Sequence, residues 1–454
     1  MTKYKAYPEY KDSGVEWLGD IPEHWEVFTG KRIFQSVRTP ALKHDEQLAA
    51  SQKFGVIPQS LMMQLNDSKV MLALKGTDSF RHVDENNFVI SLRSFEGGIE
   101  HSKYSGCVSP AYTVLKNIKQ LSYGYYRYLL KCAPFIAALQ SSTDSLRDGK
   151  SINYEQFSAI FLPIASIFEQ AQIAAFLDYE TAKIDKLIEK QQQLIELLKE
   201  KRQAVISHAV TKGLNLDAPM KDSGVEWLGE VPTHWISVRV KQISSFITSG
   251  PRGWSDFLTE EGREIFLQSG DLNDELGLQL DKAKRVSPPK NAEGIRTRLT
   301  VGDVVVCITG ANTGRVAIVS ELSQTTYINQ HLSLIRPNTS NVNSVFLGYS
   351  LASSVGRSFF DVAQYGLKEG LSLSNVSEAP LALPPRYEQD AIVKYLESIR
   401  NNYDNLSRIS TVQVELLKER RIALISAAVT GKIDVRDWVA PQTREVEVLQ
   451  EVTA

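Results

Sequence analysis

"KDSGVEWLGDIPEHW" occupies Lys11–Trp25, and "KDSGVEWLGEVPTHW" occupies Lys221–Trp235. With its tryptophans, proline and histidine in fixed places, a stretch this long recurs by duplication. Duplication must be recognised first, because a missed repeat misreads the whole fold. A second pair follows: "ELLKEKRQAVISHAVTKG" from Glu196 and "ELLKERRIALISAAVTGK" from Glu415. Upstream of each lies a weaker echo, "LRDGKSINYEQFSAIFLP" from Leu146 and "LKEGLSLSNVSEAPLALP" from Leu367. "IFEQAQIAAFL" (Ile167) and "RYEQDAIVKYL" (Arg386) then lead into each helix. The order is turn segment, long middle, Leu-Pro exit, Glu-Gln, long helix, and then the same again. Its spacing is far beyond the roughly 50 residues of a solenoid period, so this is a two-unit duplication.

The long helices carry the clearest periodicity. Ile173, Leu177, Ile184, Leu187, Ile188, Leu194, Ile195, Leu198 and Val205 step by threes and fours in the first copy. Ile392, Leu396, Ile399, Tyr403, Leu406, Ile409, Leu416, Leu417 and Leu424 do so in the second. This is a heptad seam with charged and amide residues on the other faces. Each helix follows a proline exit (Pro163; Pro384 and Pro385) and stops at a glycine, Gly213 or Gly431. About 40 residues at roughly 1.5 Å each give a rod of about 60 Å. A narrow apolar stripe on such a rod needs a partner, and the other copy supplies one as an antiparallel coiled coil.

The middles, 26–160 and 236–380, do not visibly match. "NFVISLRS", "AYTVL", "REIFLQS", "GDVVVCITG", "RVAIVSE" and "HLSLIRP" read as short strands, and "YGYYRYLLKCAPFIAALQ" and "SVFLGYSLASSVGRSFF" as helical. The expected fold is therefore mixed α/β: two α/β domains separated by two long helices, as a pseudo-two-fold internal repeat. Its boundaries are 1–160 for the first domain, 161–215 for the central helix, 216–380 for the second domain, 381–437 for the C-terminal helix, and 438–454 for a loosely held tail.

Composition narrows the function. Lys plus Arg (51) nearly balances Asp plus Glu (53) over 454 residues, so any nucleic-acid footprint must be local or shared with a partner. Cys107, Cys132 and Cys307 lie far apart in no zinc or redox spacing and read as buried thiols. "MTKYKAYPEY" has no apolar signal core, and no run reaches the roughly 18 apolar residues of a spanning helix; a cytoplasmic protein without membrane contact is expected. Catalytic signatures are missing. "SPPK" and "LPPR" lack the amide or acid of the Asn/Asp-Pro-Pro-aromatic tetrapeptide of amino-methyltransferases, and no metal-ligand or nuclease set appears.

The combination of "SGVEWLG..P.HW", a Leu-Pro exit followed by Glu-Gln, and "ELLKE.R.ALIS.AVTG" resembles the DNA specificity subunit of type I restriction–modification systems, over nearly the whole chain. The resemblance implies a non-catalytic adapter. Each target-recognition domain would read one half of a bipartite double-stranded DNA site, while the helices hold the domains apart. The helices would also dock two methyltransferase subunits, to which endonuclease/translocase subunits bind. It implies no cofactor in this chain, with S-adenosylmethionine, ATP and Mg in the partner subunits. Leu187, Leu194, Leu198 and Leu417 match the helical region and inherit the spacer and docking role. Half-sites read from one face lie about 34–36 Å apart, a spacing such a rod could set. A coiled-coil scaffold for protein partners that binds no DNA remains the alternative.

Residue chemistry then gives candidates for DNA contact. "TGANTG" (Thr309–Gly314) lacks the Gly-Lys-Ser/Thr end of a Walker loop and reads as a hairpin tip. Asn312, Thr313 and Arg315 there suit base edges, since Asn matches adenine and Arg matches guanine or phosphate. Strand pattern places Arg93, His101 and Lys103 at the equivalent point of the first domain. Lys284 and Arg285, with Lys290, Arg296 and Arg298, offer phosphate contacts. The loops before both exits add Arg147 and Lys150 in the first copy, and Tyr365 and Lys368 in the second. The paired tryptophans and His24 and His234 read as structural, because identical copies cannot confer two different sequence preferences. No catalytic or metal-binding residue is assigned.

Overall fold

The computed structural model describes residues 4–66, 79–142, 152–289, 292–364 and 370–441. Two compact units emerge: Met1–Gln191 together with Val412–Ala454, and Gln192–Thr411. The long helices are Ile167–Lys212 and Arg386–Val429, and each contributes its two ends to different units.

The repeated segment folds as the same hairpin in both units. Tyr10–Asp12 pairs antiparallel with Asp20–Pro22, and Met220–Asp222 with Glu230–Pro232. The turn is written in the side chains. Asp12 accepts from the Gly14 amide at 2.9 Å, Asp222 does the same for Gly224, and Ser13 and Ser223 bridge to the next residue but one. Gly14 and Gly224 have φ of +64° and +70°, a region that glycine enters without steric penalty.

The closing "HW" of each hairpin grips the start of a long helix. In the first unit, Glu169 accepts from Trp25 Nε1 (3.0 Å), Tyr7 Oη (2.6 Å) and His24 Nε2 (2.9 Å). In the second, Glu388 accepts from Trp235 Nε1 (2.9 Å), His234 Nε2 (2.7 Å) and Tyr387 Oη (3.0 Å). Both carboxylates sit in a first helical turn, where the helix dipole favours negative charge. Burial would raise the Glu388 carboxyl, but its three donors outweigh burial and hold it below the usual range. Tyr7 is driven far up by burial and by Glu169, so it remains a neutral donor.

The glutamine after each glutamate ties in the next layer. Gln170 accepts from the amide of Ser122, and Gln389 from that of Asn343; these are the residues that precede helices Tyr123–Leu129 and Ser344–Ala352. The Leu-Pro exits are strands: Phe161–Ile164 pairs with Glu26–Thr29, and Pro380–Leu383 with Ile236–Arg239. They therefore belong with the domains, and the helices begin later than the boundaries 161 and 381 expected from sequence.

Each unit is built on a four-stranded antiparallel sheet. Its order is Phe34–Val37, Thr113–Asn117, Phe88–Ile90, Glu100–His101 in the first. In the second it is Ser244–Ser249, Leu332–Pro337, Val304–Cys307, Val316–Ile318. Taken in chain order, the strands occupy the same places in both. The middles, unalike in sequence, thus share a topology. Cys107, Cys132 and Cys307 are all buried.

Within each unit the two long-helix segments run antiparallel. In the first, Gln172 reaches the carbonyl of Trp438 and Asp185 pairs with Arg421 at 2.8 Å, while Ile173, Leu177 and Ile184 share a core with Leu424 and Ala428. In the second, Arg202 pairs with Asp404 at 3.0 Å, and Ile206 and Ala209 share a core with Ile392 and Leu396. Two details differ from the sequence reading. The seam passes through Ser410 and Val414, both buried, while Leu406, Ile409 and Leu416 lie outside. A 3.6-residue turn drifts off a strict heptad, so the buried stripe takes in the small, polar Ser410. Trp438, expected to start a loose tail, packs on Phe176 and Tyr179 with ring centroids at 5.5 and 5.7 Å. The rest of that tail, 442–454, lies outside the described residues.

Candidate nucleic-acid interface

At one end of each four-stranded sheet, loops leave the scaffold and diverge between the units. The first sheet strand of each unit ends in a loop that carries an exposed arginine, Arg38 in one and Arg252 in the other. Arg81 lies close to Arg38, and its guanidinium is pulled below its ordinary value by burial and by that like charge. Two guanidinium groups held together suit an anion. Sequence pattern gave no sign of this pair, because Arg38, in the loop after Phe34–Val37, and Arg81, in strand Arg81–Val83, lie over forty residues apart in the chain.

The structure brings Arg93 and the 312–315 turn to equivalent places. Arg93, exposed, lies between Phe88–Ile90 and Glu100–His101; Asn312, Thr313 and Arg315 lie between the matching strands Val304–Cys307 and Val316–Ile318. The side chains of the second turn are already engaged. Asn312 donates to the carbonyl of Ser269 at 3.1 Å, and Arg315 donates to that of Leu272 at 3.0 Å and pairs with Asp274 at 3.0 Å. Thr313 donates to Gly310 O at 2.6 Å and is buried. In this conformation all three brace the loop.

His101 sits between the rings of Phe88 (5.1 Å) and Tyr123 (6.2 Å, stacked) and bonds Asn86 at 3.1 Å. Burial, with Arg127 and Lys103 nearby, pushes it down to about 4, so it is neutral near pH 7 and offers no charge to phosphate. Lys103 is exposed. In the second unit, Lys284, Phe266, Tyr327 and Arg298 form one cross-strand row. Lys284 and Arg298 are exposed at its two ends, with Trp254 stacked on Phe266 within. Arg285, the next residue, faces the other way and bonds Gln324 at 3.2 Å. Arg296 is exposed in the last turn of helix Ala292–Thr297. Arg147, Lys150, Lys290, Tyr365 and Lys368 lie outside the described residues.

On the long helices, Leu187 and Leu194 are 43% and 40% exposed, whereas Leu198 is 8% exposed and Leu417 packs into the first core. Leu198 is thus buried and Leu417 half-buried, while Leu187 and Leu194 face outward. Between helix and domain, the second unit also holds a groove of about 1050 Å³, with Arg202, Arg357 and Arg408 on its walls.

The family model for the type I restriction modification DNA specificity domain matches this chain twice, over residues 22–197 and 232–415. The chain belongs to that DNA specificity family. Each match runs from the second strand of the opening hairpin into a long helix, so one specificity domain corresponds to one turn of the duplication. Among similar proteins is a putative type I restriction enzyme MjaX specificity subunit of Methanocaldococcus jannaschii, 23% identical, covering 92% of this chain and 96% of its own. The EcoBI specificity subunit of Escherichia coli is 25% identical over 62% of each chain. Among solved structures, the HsdS subunit of Thermoanaerobacter tengcongensis has a TM-score of 0.52 at 16% identity, covering 91% of this chain and 98% of its own. A chain from work on complex assembly and conformational transition of the type I R-M system has a TM-score of 0.69 at 15% identity, covering 91% and 99%. At these identities the structural likeness speaks for the fold. No described helix is long and apolar enough to cross a membrane.

Proposed function

We propose that this specificity chain works in the cytoplasm as the DNA-reading, non-catalytic subunit of a type I restriction–modification complex. Each unit reads one half of a bipartite duplex site, the long helices space the halves, and two methyltransferase subunits dock on them. Endonuclease/translocase subunits join through those partners, which carry S-adenosylmethionine, ATP and Mg. One observation carries the reading: a single scaffold, with its Trp–His–Glu clasp and sheet order, is built twice around loops that differ. Two different readers on one frame suit an asymmetric bipartite target. The near-zero net charge fits a subunit whose partners share phosphate neutralisation. Docking is supported by Leu187, Leu194, Leu406 and Ile409, apolar residues turned outward on helices that already have an inner seam.

The test is duplex binding by the chain assembled with its methyltransferase partner, across a salt series. Phosphate contacts release counterions, so log K should fall linearly with log salt. Absence of duplex binding in that assembly would sink the reading in favour of a protein scaffold. Mapping methylated adenines in a host carrying the complex should return two half-sites and a fixed gap, and added helical turns in Ile167–Lys212 should lengthen that gap.

A further inference from the structure

We infer that Gln330, positioned by His331, is a base-reading residue of the second unit, and that the edge it fits is that of an adenine in the major groove. The inference rests on the DNA-reading function proposed above and assigns part of it to one loop.

Asn329–His331 links strand Thr326–Ile328 of a three-stranded sheet to strand Leu332–Pro337 of the four-stranded one. Backbone contacts fix it on both sides. The Asn329 amide donates to Leu267 O at 3.0 Å, and the His331 carbonyl accepts from Ile308 at 2.9 Å. The Asn329 side chain also accepts from the His331 amide at 3.0 Å. His331 is then held by both ring nitrogens, Nδ1 to the hydroxyl of Thr309 and Nε2 to the Gln330 side chain at 3.0 Å. Thr309 is itself bridged to Gly370. One edge of the half-buried Gln330 amide is thereby spent on a fixed partner, in a hydrogen bond that itself lies at the surface, with its rotamer already chosen. A side-chain amide so pre-ordered suits the N6/N7 edge of adenine, the pairing its donor and acceptor match.

Two further observations point the same way. Gly250 lies so close to Ile328 and Asn329 that a Cβ there would strike their backbone. The glycine-flanked loop bearing Arg252 therefore lies directly against the Gln330 loop. Arg252 is exposed and has no ion pair among the described residues, which suits a phosphate beside the base being read. In the first unit the matching connection is Ser109–Tyr112, "SPAY", which carries no amide or charge. A reader must differ between two units that read different halves, and this one does. The amide of Asn312, the obvious rival, is consumed by Ser269.

The experiment maps methylated sites in DNA from hosts expressing the full complex with wild-type chain, Gln330→Ala, Gln330→Glu or His331→Phe. Gln330→Ala should relax one base pair in one half-site by on the order of 10- to 100-fold, leaving the other half-site and the gap unchanged. Gln330→Glu should shift that same position toward a base pair presenting a cytosine amino group. His331→Phe should relax the same position while thermal unfolding of the chain is unchanged, which a merely structural residue would not do. A wild-type motif that survives both Gln330 substitutions overturns the inference alone. So does loss of all methylation by an assembled Gln330→Ala complex. A wild-type complex with no bipartite motif instead defeats the functional reading beneath it.

Discussion

Trp25, with no exposed surface, donates from its indole nitrogen to Glu169 at 3.0 Å, joining the end of the opening hairpin to the start of a long helix. A buried tryptophan removes roughly 150–250 Å² from water, on the order of 4–6 kcal/mol, but its N–H must find an acceptor. Glu169 serves Trp25, Tyr7 and His24 at once and is itself buried. Glu169→Ala leaves two buried donors unpaired and should destabilise the first unit by about 3–5 kcal/mol. Glu388 keeps a quarter of its side chain in water, so Glu388→Ala should cost the second unit about 1–2 kcal/mol. Hydrogen exchange in Glu26–Thr29 and Ile236–Arg239 reads the two units separately. Equal losses would refute this asymmetry.

The same tryptophan also fixes how the second long helix ends. Gly431 has φ of +74°, and a Cβ there would strike Pro22 and press on the Trp25 ring; Gly14 has φ of +64° and open space around it. Gly14→Ala should therefore lose only the left-handed penalty of about 1–2 kcal/mol. Gly431→Ala should lose that and a further ~1–3 kcal/mol of overpacking. Thermal unfolding of the two variants side by side checks the order. Gly14→Ala being the worse of the two would contradict the packing.

His101 makes the first unit sensitive to acid. Its pKa in the fold is about 4, against roughly 6.5 unfolded, so between these values the unfolded chain binds more protons. Stability from this residue is fully present above about pH 6.5 and is lost as pH falls toward 4. Denaturant midpoints of wild type and His101→Gln should therefore converge as pH drops from 7 to 4. A constant difference across that range would show that the histidine is not held neutral.

The repeat, the long helices and the mixed α/β class were legible in sequence, because they are written in local pattern: a duplicated hairpin, a helical period, proline and glycine punctuation. The structural role of Trp25 and Trp235 was legible too, through the argument that identical copies cannot read different bases. The seam through Ser410 was not, since a buried serine looks polar in sequence and Leu406 and Ile409 look like core. Nor was the fate of Asn312 and Arg315. Residue type marks them as readers, but the carbonyls of Ser269 and Leu272 that engage them arrive from about forty residues away in the chain. Conversely, Gln330 had no pattern to mark it; only the ring of His331 beside it sets it apart.

The exposed leucines separate docking from folding. Leu187 and Leu194 face outward, and Leu198, four residues beyond Leu194, faces in. Leu187→Asp and Leu194→Asp should each shift stability by less than about 0.5 kcal/mol, as surface substitutions do. Leu198→Asp, which buries an unpaired charge, should destabilise its unit by several kcal/mol, on the order of 3–5. If the outward leucines form the methyltransferase docking face, the double variant Leu187→Asp/Leu194→Asp will fold and still show salt-dependent affinity for duplex, but will not co-elute with that subunit in size-exclusion chromatography. Co-elution at wild-type stoichiometry would remove these two residues from the interface and place docking elsewhere on the helices.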